Sequence, residues 1–315
     1  MNESLNNRMK IGVIGMGPVG SILAAHLLES GAYVVSCDIS KTRIESIKTN
    51  GIRLKHTMEK ETPVTNTCLA VVDLQEYDLD LVVISVKAPY LKSVLAELEE
   101  TLAEKTFVMS GQNGLDNEAQ IAQIFGNDRT LRMVINYAGN LDENGDVQVT
   151  FFNPPNYITA LGAKGTGIAS QLTELLNATS LETVILDDIR VQTWEKAILN
   201  AALSPVCALS QRTMRGVMET DWGVVLVKRL LIESIAVAEA EGIDLGNEFM
   251  QHCIQYLNKG GRHKPSMLID IENNLPTEID YLNGRIVEYG RKHSVPTPAN
   301  ETITTLINLL ERKSK

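Results

Sequence analysis

The segment from Met9 to Asp38, MKIGVIGMGPVGSILAAHLLESGAYVVSCD, leaves this chain few ways to fold. A short apolar run, Ile11 to Ile14, reads as a buried parallel strand and leads straight into Gly15-Met16-Gly17-Pro18-Val19-Gly20, the pattern G-x-G-x-x-G. A helix follows at once, with Ile22, Leu23, Leu27 and Leu28 and the small Ala24 and Ala25 giving it a face to lay on a sheet. Gly31 stops that helix, and Tyr33 to Cys37 makes a second strand that finishes on Asp38. In this frame Gly15 permits the tight turn, Gly17 lets backbone N–H groups approach a pyrophosphate with no Cβ in the way, and Gly20 allows close helix–strand packing. The positive end of the helix meets the phosphates. Asp38, eighteen positions past Gly20, stands where an acid accepts hydrogen bonds from the adenosine ribose. The stretch predicts a dinucleotide site built from Gly15, Met16, Gly17, Pro18, Val19, Gly20 and Asp38.

Asp38 also bears on which dinucleotide binds. A carboxylate beside the ribose repels the 2′-phosphate that distinguishes NADP, which favours NAD. Lys41 and Arg43 lie just beyond and are able to turn toward such a phosphate, which keeps NADP open.

Further strand signals extend the sheet. Leu69 to Leu74 is strand-like, Leu81 to Val86 is the most strongly β-branched run, and Thr106 to Ser110 is the next. Helices are expected over Lys41 to Asn50 and Pro89 to Leu102. Lys87 falls at the carboxyl end of a strand, where open α/β sheets hold their ligands, and Gly111-Gln112-Asn113-Gly114 makes a turn able to present an amide there. Leu131 to Ala160 alternates in places, with Asp142 to Asp146 as a hairpin turn, so antiparallel strands complete the sheet. Asn153-Pro154-Pro155-Asn156 has no assigned place. Past about Leu186 helical periodicity takes over, in Ile189 to Leu203, Asp221 to Glu241, Asn247 to Leu257, Glu278 to His293 and Asn300 to Leu310. The expected fold is α/β: a Rossmann-type dinucleotide-binding domain over residues 9–186, then an all-α substrate and catalytic domain over residues 187–315.

A net charge of −10 argues against nucleic-acid or anionic-membrane partners, and an anionic substrate then needs a local cationic pocket. Cys37, Cys68, Cys207 and Cys253 form no C-x-x-C pair, which suits reduced thiols in a cytoplasm. The histidines show no H-x-x-x-H spacing, so no metal site is expected. Residues 1 to 8 lack the apolar core of a signal peptide, and no apolar run approaches the ~18 residues of a membrane span.

Chemistry concentrates in Trp194-Glu195-Lys196-Ala197-Ile198-Leu199-Asn200-Ala201-Ala202-Leu203-Ser204-Pro205. Lys196, Asn200 and Ser204 recur every fourth residue, so one helix face carries an ammonium, an amide and a hydroxyl. Three polar groups on a face that should be buried are costly unless something satisfies them, and a substrate is such a partner.

Together with the glycine pattern, Gln112-Asn113-Gly114, Trp194-Glu195-Lys196 with Asn200, Lys264-Pro265-Ser266-Met267-Leu268, Thr277-Glu278-Ile279-Asp280-Tyr281-Leu282-Asn283-Gly284 and His293-Ser294-Val295-Pro296-Thr297-Pro298 come in a telling order. In order and spacing the chain resembles the ketopantoate reductase (2-dehydropantoate 2-reductase) family over nearly its whole length. That resemblance implies reduction of the ketone of a small 2-oxo acid, ketopantoate, by NADPH, in pantothenate biosynthesis. It implies Lys196 as the acid that protonates the nascent alkoxide and Glu278 as its acidic partner. Asn200 and Ser266 would hold the substrate, with Ser204 beside them, and Asn113 and Lys87 would lie by the nicotinamide ribose. A buried ammonium suits the task because it stabilises developing negative charge and can release its proton, which arginine does not.

Two departures stand out. The family commonly carries a second asparagine where this chain has Ser204, and its NADPH users usually place a basic or small residue where this chain has Asp38; Val134 to Gly139 also lacks an expected early glycine. Asp38 and Ser204 support an alternative, an NAD-linked D-2-hydroxyacid dehydrogenase acting on another branched or aromatic 2-oxo acid. A non-catalytic dinucleotide-sensing regulator is a second alternative, and a 3-hydroxyacid or sugar-acid dehydrogenase a third. Helical second domains in such enzymes often pair, so a homodimer is possible, though no segment marks an interface.

Overall fold

In the computed structural model, which describes residues 8–261 and 263–312, strand β1 (Lys10–Ile14) turns Ile11 and Val13 to one side and Ile14 to the other, and all three are buried. A parallel strand flanked by helices on both faces needs that pattern. The other strands are β2 (Tyr33–Cys37), β3 (Ile52–His56), β4 (Lys60–Thr62), β5 (Asn66–Cys68), β6 (Leu81–Ile84), β7 (Phe107–Ser110), β8 (Thr130–Val134), β9 (Tyr137–Leu141), β10 (Val147–Phe152), β11 (Asn156–Ala160) and β12 (Thr183–Ile185). Eight of them form one sheet in the order β12-β11-β8-β7-β6-β1-β2-β5, parallel except where β11 meets β8. The remaining four form a second sheet, β4-β3-β10-β9. Residues 1–7, read above for a leader segment, lie outside the described residues.

The backbone divides into two compact units. One runs up to Gln112 and from Asp116 to Ile189; the other joins Asn113–Leu115 to the chain from Arg190 onward. The first unit holds both sheets and helices α1 (Pro18–Glu29), α2 (Lys41–Asn50), α3 (Leu91–Thr101), α4 (Asn117–Phe125) and α5 (Thr166–Asn177). Two apolar cores cover the two faces of its main sheet. Ile11, Val13, Leu81 and Val83 meet α1 and α5 residues such as Ile22 and Leu172, whereas Ile14, Val82 and Ile84 meet Leu91, Leu95 and Ile121. The second unit is helical: α6 (Arg190–Ser210), α7 (Met214–Met218), α8 (Asp221–Ala240), α9 (Phe249–Asn258), α10 (Ser266–Glu272), α11 (Asn283–His293) and α12 (Pro298–Arg312). Its core gathers Trp194, Ile198, Val227, Leu231, Met267, Ile286 and Ile307, with Leu115 inserted from the short segment.

Several expectations need correction. The strand-like Leu69 to Leu74 is a 3-10 helix, Val71–Glu76, in which the Asp73 carboxylate accepts the Ala70 N–H at 3.1 Å; the strand lies just before it, at β5. The antiparallel stretch after Leu131 supplies β8 and β11 to the main sheet but sends β9 and β10 to the second. Asn153 to Asn156 is the turn between β10 and β11, held by Asn136 Nδ2 donating to the Pro155 carbonyl at 2.6 Å and the Asn136 N–H to Asn156 Oδ1 at 2.8 Å. Glu278 precedes a 3-10 turn, Ile279–Tyr281, and the helix expected from it begins only at Asn283.

The four cysteines are buried free thiols. Cys37 and Cys68 stand opposite each other on β2 and β5, and their mutual hydrogen bond, then burial, push the Cys37 thiol far above its usual range, which makes it unreactive. Among the described residues no helix is long and apolar enough to cross a membrane, and no cluster of three or more His, Cys, Asp or Glu side chains is placed to hold a metal ion.

His26 on α1 is fully buried, with Nδ1 2.8 Å from the Thr179 carbonyl and Nε2 3.3 Å from Met58 Sδ. Burial, helped by Lys60, lowers its pKa from 6.5 to about 4. Because the folded pKa lies below the unfolded one, the neutral ring stabilises the fold above pH 6.5, and that stability is lost as pH falls toward about 4. Denaturant titrations at pH 7 and 4.5 should show the wild-type chain losing about 2 to 3 kcal/mol more than His26→Leu. Equal losses would rule this account out.

Candidate active site

In the first unit Gly15 adopts φ +93°, and a Cβ there would lie 2.8 Å from the Val86 backbone nitrogen, so only glycine fits the turn out of β1. Gly20 is constrained by contact: its Cβ would fall 2.1 Å from the Gly15 carbonyl oxygen and 2.5 Å from Ser85 Oγ. Gly17 is the opposite case, since nothing lies within 4 Å of where its Cβ would be. Pro18 begins α1 and gives up an amide that has no helical partner in any case, while the first-turn amides of Val19 and Gly20 have no intrahelical acceptor. Tight packing behind the loop and open space before it suit a pyrophosphate laid against the helix end.

The Asp38 carboxylate closes this loop from the end of β2. Oδ2 accepts the Met16 N–H at 2.7 Å and Oδ1 accepts the Ser40 N–H at 2.8 Å, which leaves further lone pairs on both oxygens for a ribose diol. Arg43 does not behave as the surface residue its sequence position suggests. It is 9% exposed, donating from Nε to the Met16 carbonyl at 2.7 Å, from Nη2 to Ser21 Oγ at 2.8 Å, and from Nη1 to the Gly145 carbonyl. Its guanidinium braces the glycine loop from behind. Lys41 is exposed and pairs with Glu45 at 3.8 Å. Lys87 is half-buried just past β6.

In the second unit a narrow cavity is lined by Asn113, Asn200, Ser204, Ser266, Met267, Asp270, Glu278 and Leu282. Asn200 and Ser204 come from α6, and Ser266 and Asp270 from α10, where they lie one turn apart. Asn113 Nδ2 donates to Glu278 Oε2 at 3.2 Å, and the Leu115 N–H donates to the Tyr281 carbonyl at 3.0 Å, which ties the short segment to the Glu278 turn. Lys196 is half-buried on α6, one turn before Asn200 on the same side. Trp194 anchors that part of the helix edge-on against Tyr289 of α11, ring centroids 5.2 Å apart.

Five of the expected residues, Asn113, Asn200, Ser204, Ser266 and Glu278, thus meet around one cavity. Asp270, 5% exposed, belongs to it and was not anticipated, although its spacing from Ser266 is the signal that points to it. Chemically the lining offers amides and hydroxyls as donors, carboxylates as proton acceptors, and Met267 and Leu282 as an apolar wall.

Residues 11–162 match the model for "Ketopantoate reductase PanE/ApbA" and residues 188–311 the model for its C-terminal part. The chain belongs to the ketopantoate reductase family. It is an NAD(P)-dependent oxidoreductase with a Rossmann-type unit and a helical unit. A 2-dehydropantoate 2-reductase of Lactococcus lactis is 27% identical over 98% of this chain and 99% of its own length. Among solved structures, a 2-dehydropantoate 2-reductase of Geobacter metallireducens covers 96% of this chain and 99% of its own at 25% identity and a TM-score of 0.85. A D-mandelate dehydrogenase solved with NADH and anilino(oxo)acetate covers 97% and 99% at 26% identity and a TM-score of 0.84. Within this ketopantoate reductase family member, the glycine loop with Asp38 lies in the Rossmann-type unit, and the polar cavity lies in the helical unit, with Lys196 one turn before Asn200 on α6.

Proposed function

We propose that this chain reduces the ketone of a branched or bulky 2-oxo acid to a D-2-hydroxy acid, with ketopantoate the first candidate and Lys196 the proton donor. The observation that carries the reading is the convergence of Asn113, Asn200, Ser204, Ser266 and Glu278 on one cavity of the helical unit. A bound nicotinamide dinucleotide supplies the hydride. Gly15, Met16, Gly17, Pro18, Val19 and Gly20 hold its pyrophosphate, Asp38 takes the ribose hydroxyls, and Lys87 and Asn113 are assigned to the nicotinamide side. Asn200, Ser204 and Ser266 orient the oxo acid by hydrogen bonds. As negative charge builds on the carbonyl oxygen, the Lys196 ammonium stabilises it and transfers a proton, and Glu278 orients the lysine or returns protons to it.

The cofactor is NAD on this reading. Asp38 is held in place by two backbone N–H groups and would face a 2′-phosphate with its charge, while Arg43 is committed to three acceptors and does not turn outward to meet one. Steady-state assays with ketopantoate and 2-oxoisovalerate should give kcat/KM at least about tenfold higher with NADH than with NADPH. Asp38→Asn, which keeps an acceptor and removes the charge, should shift that ratio toward NADPH by about tenfold or more. A wide NADPH preference in the wild-type enzyme would overturn the reading of Asp38.

A second reading has its own support. Ser204 is shorter than the asparagine common in the family, and the similar D-mandelate dehydrogenase was solved with NADH and anilino(oxo)acetate. On that reading the substrate is an aromatic or larger branched 2-oxo acid, and a higher kcat/KM for phenylglyoxylate than for ketopantoate would favour it.

A further inference from the structure

Pro205 lies inside α6. Proline has no amide hydrogen, so the Ala201 carbonyl, one turn earlier, has no i+4 donor within the helix. Ala201 is fully buried, and a buried carbonyl with no donor is costly. A side chain from another helix reaches this position: Nδ2 of Asn283, the first residue of α11, donates to the Ala201 carbonyl oxygen at 3.0 Å.

The orientation of that amide is set from a distance. The Glu233 carboxylate on α8 accepts the Ala299 N–H at 2.8 Å, the Asn300 N–H at 2.9 Å and Asn300 Nδ2 at 2.8 Å. An oxygen that only accepts dictates which end of the Asn300 amide turns to it. Asn300 Oδ1 therefore faces Asn283 and accepts from its Nδ2 at 2.9 Å, and the second hydrogen on that nitrogen is the one that reaches Ala201. Asn283 and Asn300 are both fully buried, so water does not substitute for either bond.

The location gives this chain of bonds its meaning. Asn200 and Ser204, the two α6 side chains that line the polar cavity, immediately precede Ala201 and Pro205, and Leu282, which also lines it, immediately precedes Asn283. We propose that Asn283 is a positioning residue: it supplies the hydrogen bond that Pro205 cannot, and so holds the Asn200 to Ser204 turn in the form that presents both side chains to the 2-oxo acid. The substrate part of this inference rests on the function proposed above.

The test is a double-mutant cycle of Asn283→Ala, Pro205→Ala and the pair, read by steady-state kinetics, NADH titration and thermal melting. Asn283→Ala should raise KM for the oxo acid about tenfold, the effect of one lost hydrogen bond, with kcat within about threefold and the NADH Kd within about twofold. In the Pro205→Ala background residue 205 has its own N–H for Ala201, and the same asparagine change should raise KM by less than about threefold. An equal rise in both backgrounds, or a lowered Tm with KM unmoved, overturns the proposal. If Asn283→Ala does not fold, recovery of folding in the double variant supports it, and failure of both to fold overturns it. If the wild-type chain reduces no 2-oxo acid, the functional reading fails by itself. Amide exchange across residues 199–204 then decides: acceleration by Asn283→Ala only when Pro205 is present supports the coupling, and acceleration in both backgrounds, or in neither, overturns it.

Discussion

Replacing Lys196 with alanine is expected to lower kcat for oxo acid reduction by about 10²- to 10⁴-fold and to leave the NADH Kd within about twofold. On the role proposed for Lys196, the size follows from what is removed: a charge that would stabilise the developing alkoxide and the proton that would neutralise it. The selectivity follows from the fold, because Lys196 belongs to the helical unit whereas the glycine loop and Asp38 belong to the other. Lys196→Arg separates the two roles, since it keeps the charge but does not release a proton at working pH, and it should recover only a small part of the lost rate. Fluorescence titration of NADH beside steady-state kinetics makes the measurement. If the alanine variant keeps more than about a tenth of wild-type kcat, Lys196 is not the acid.

The second large effect is expected at Gly20. A Cβ at 2.1 Å from the Gly15 carbonyl oxygen forces backbone to move, because that contact is with the main chain and not with the end of a flexible side chain. Gly20→Val should cost about 2 to 4 kcal/mol of stability and weaken NADH binding by about 100-fold or more, since the strand–helix turn that shapes the loop is displaced. Gly17→Ala is the control. With nothing beyond its own stretch of chain within 4 Å of its Cβ, it should leave the melting temperature within a degree or two of wild type while weakening NADH binding about tenfold, as the methyl would occupy the space proposed for the pyrophosphate. Comparable loss of stability in both variants would show that the loop is a structural turn and no more.

Local patterns carried much of the reading. β1, α1 and β2 were legible because their signals, a buried apolar run, glycines at fixed offsets and a terminal acid, all lie within one supersecondary unit. The regular spacing of Lys196, Asn200 and Ser204 marked one side of α6 for the same reason. Val71–Glu76 misled because a valine pair looks like a strand whether or not a neighbour is there to pair with, and here the Asp73 cap stabilises a 3-10 helix instead. Asp270 was missed because α10 is only 7 residues long, so its one-turn spacing from Ser266 stands as a single interval with no repeat beside it. Arg43 reads, from its place just past Asp38, as able to turn toward a 2′-phosphate, yet its acceptors include Gly145, which is 102 positions away.

What the sequence determined by itself is therefore the class of fold and the residue types available for the chemistry, because these depend on periodicity, glycine geometry and charge within a few turns of chain. Only the tertiary structure decided that Arg43 braces the glycine loop, that Asp270 joins the polar cavity, and that Asn283 completes a helix 82 residues earlier in the chain. The first and the last of those outcomes are the satisfaction of a buried polar group by a distant partner. A hydrogen bond needs its two atoms within about 3 Å, and sequence separation carries no information about that distance.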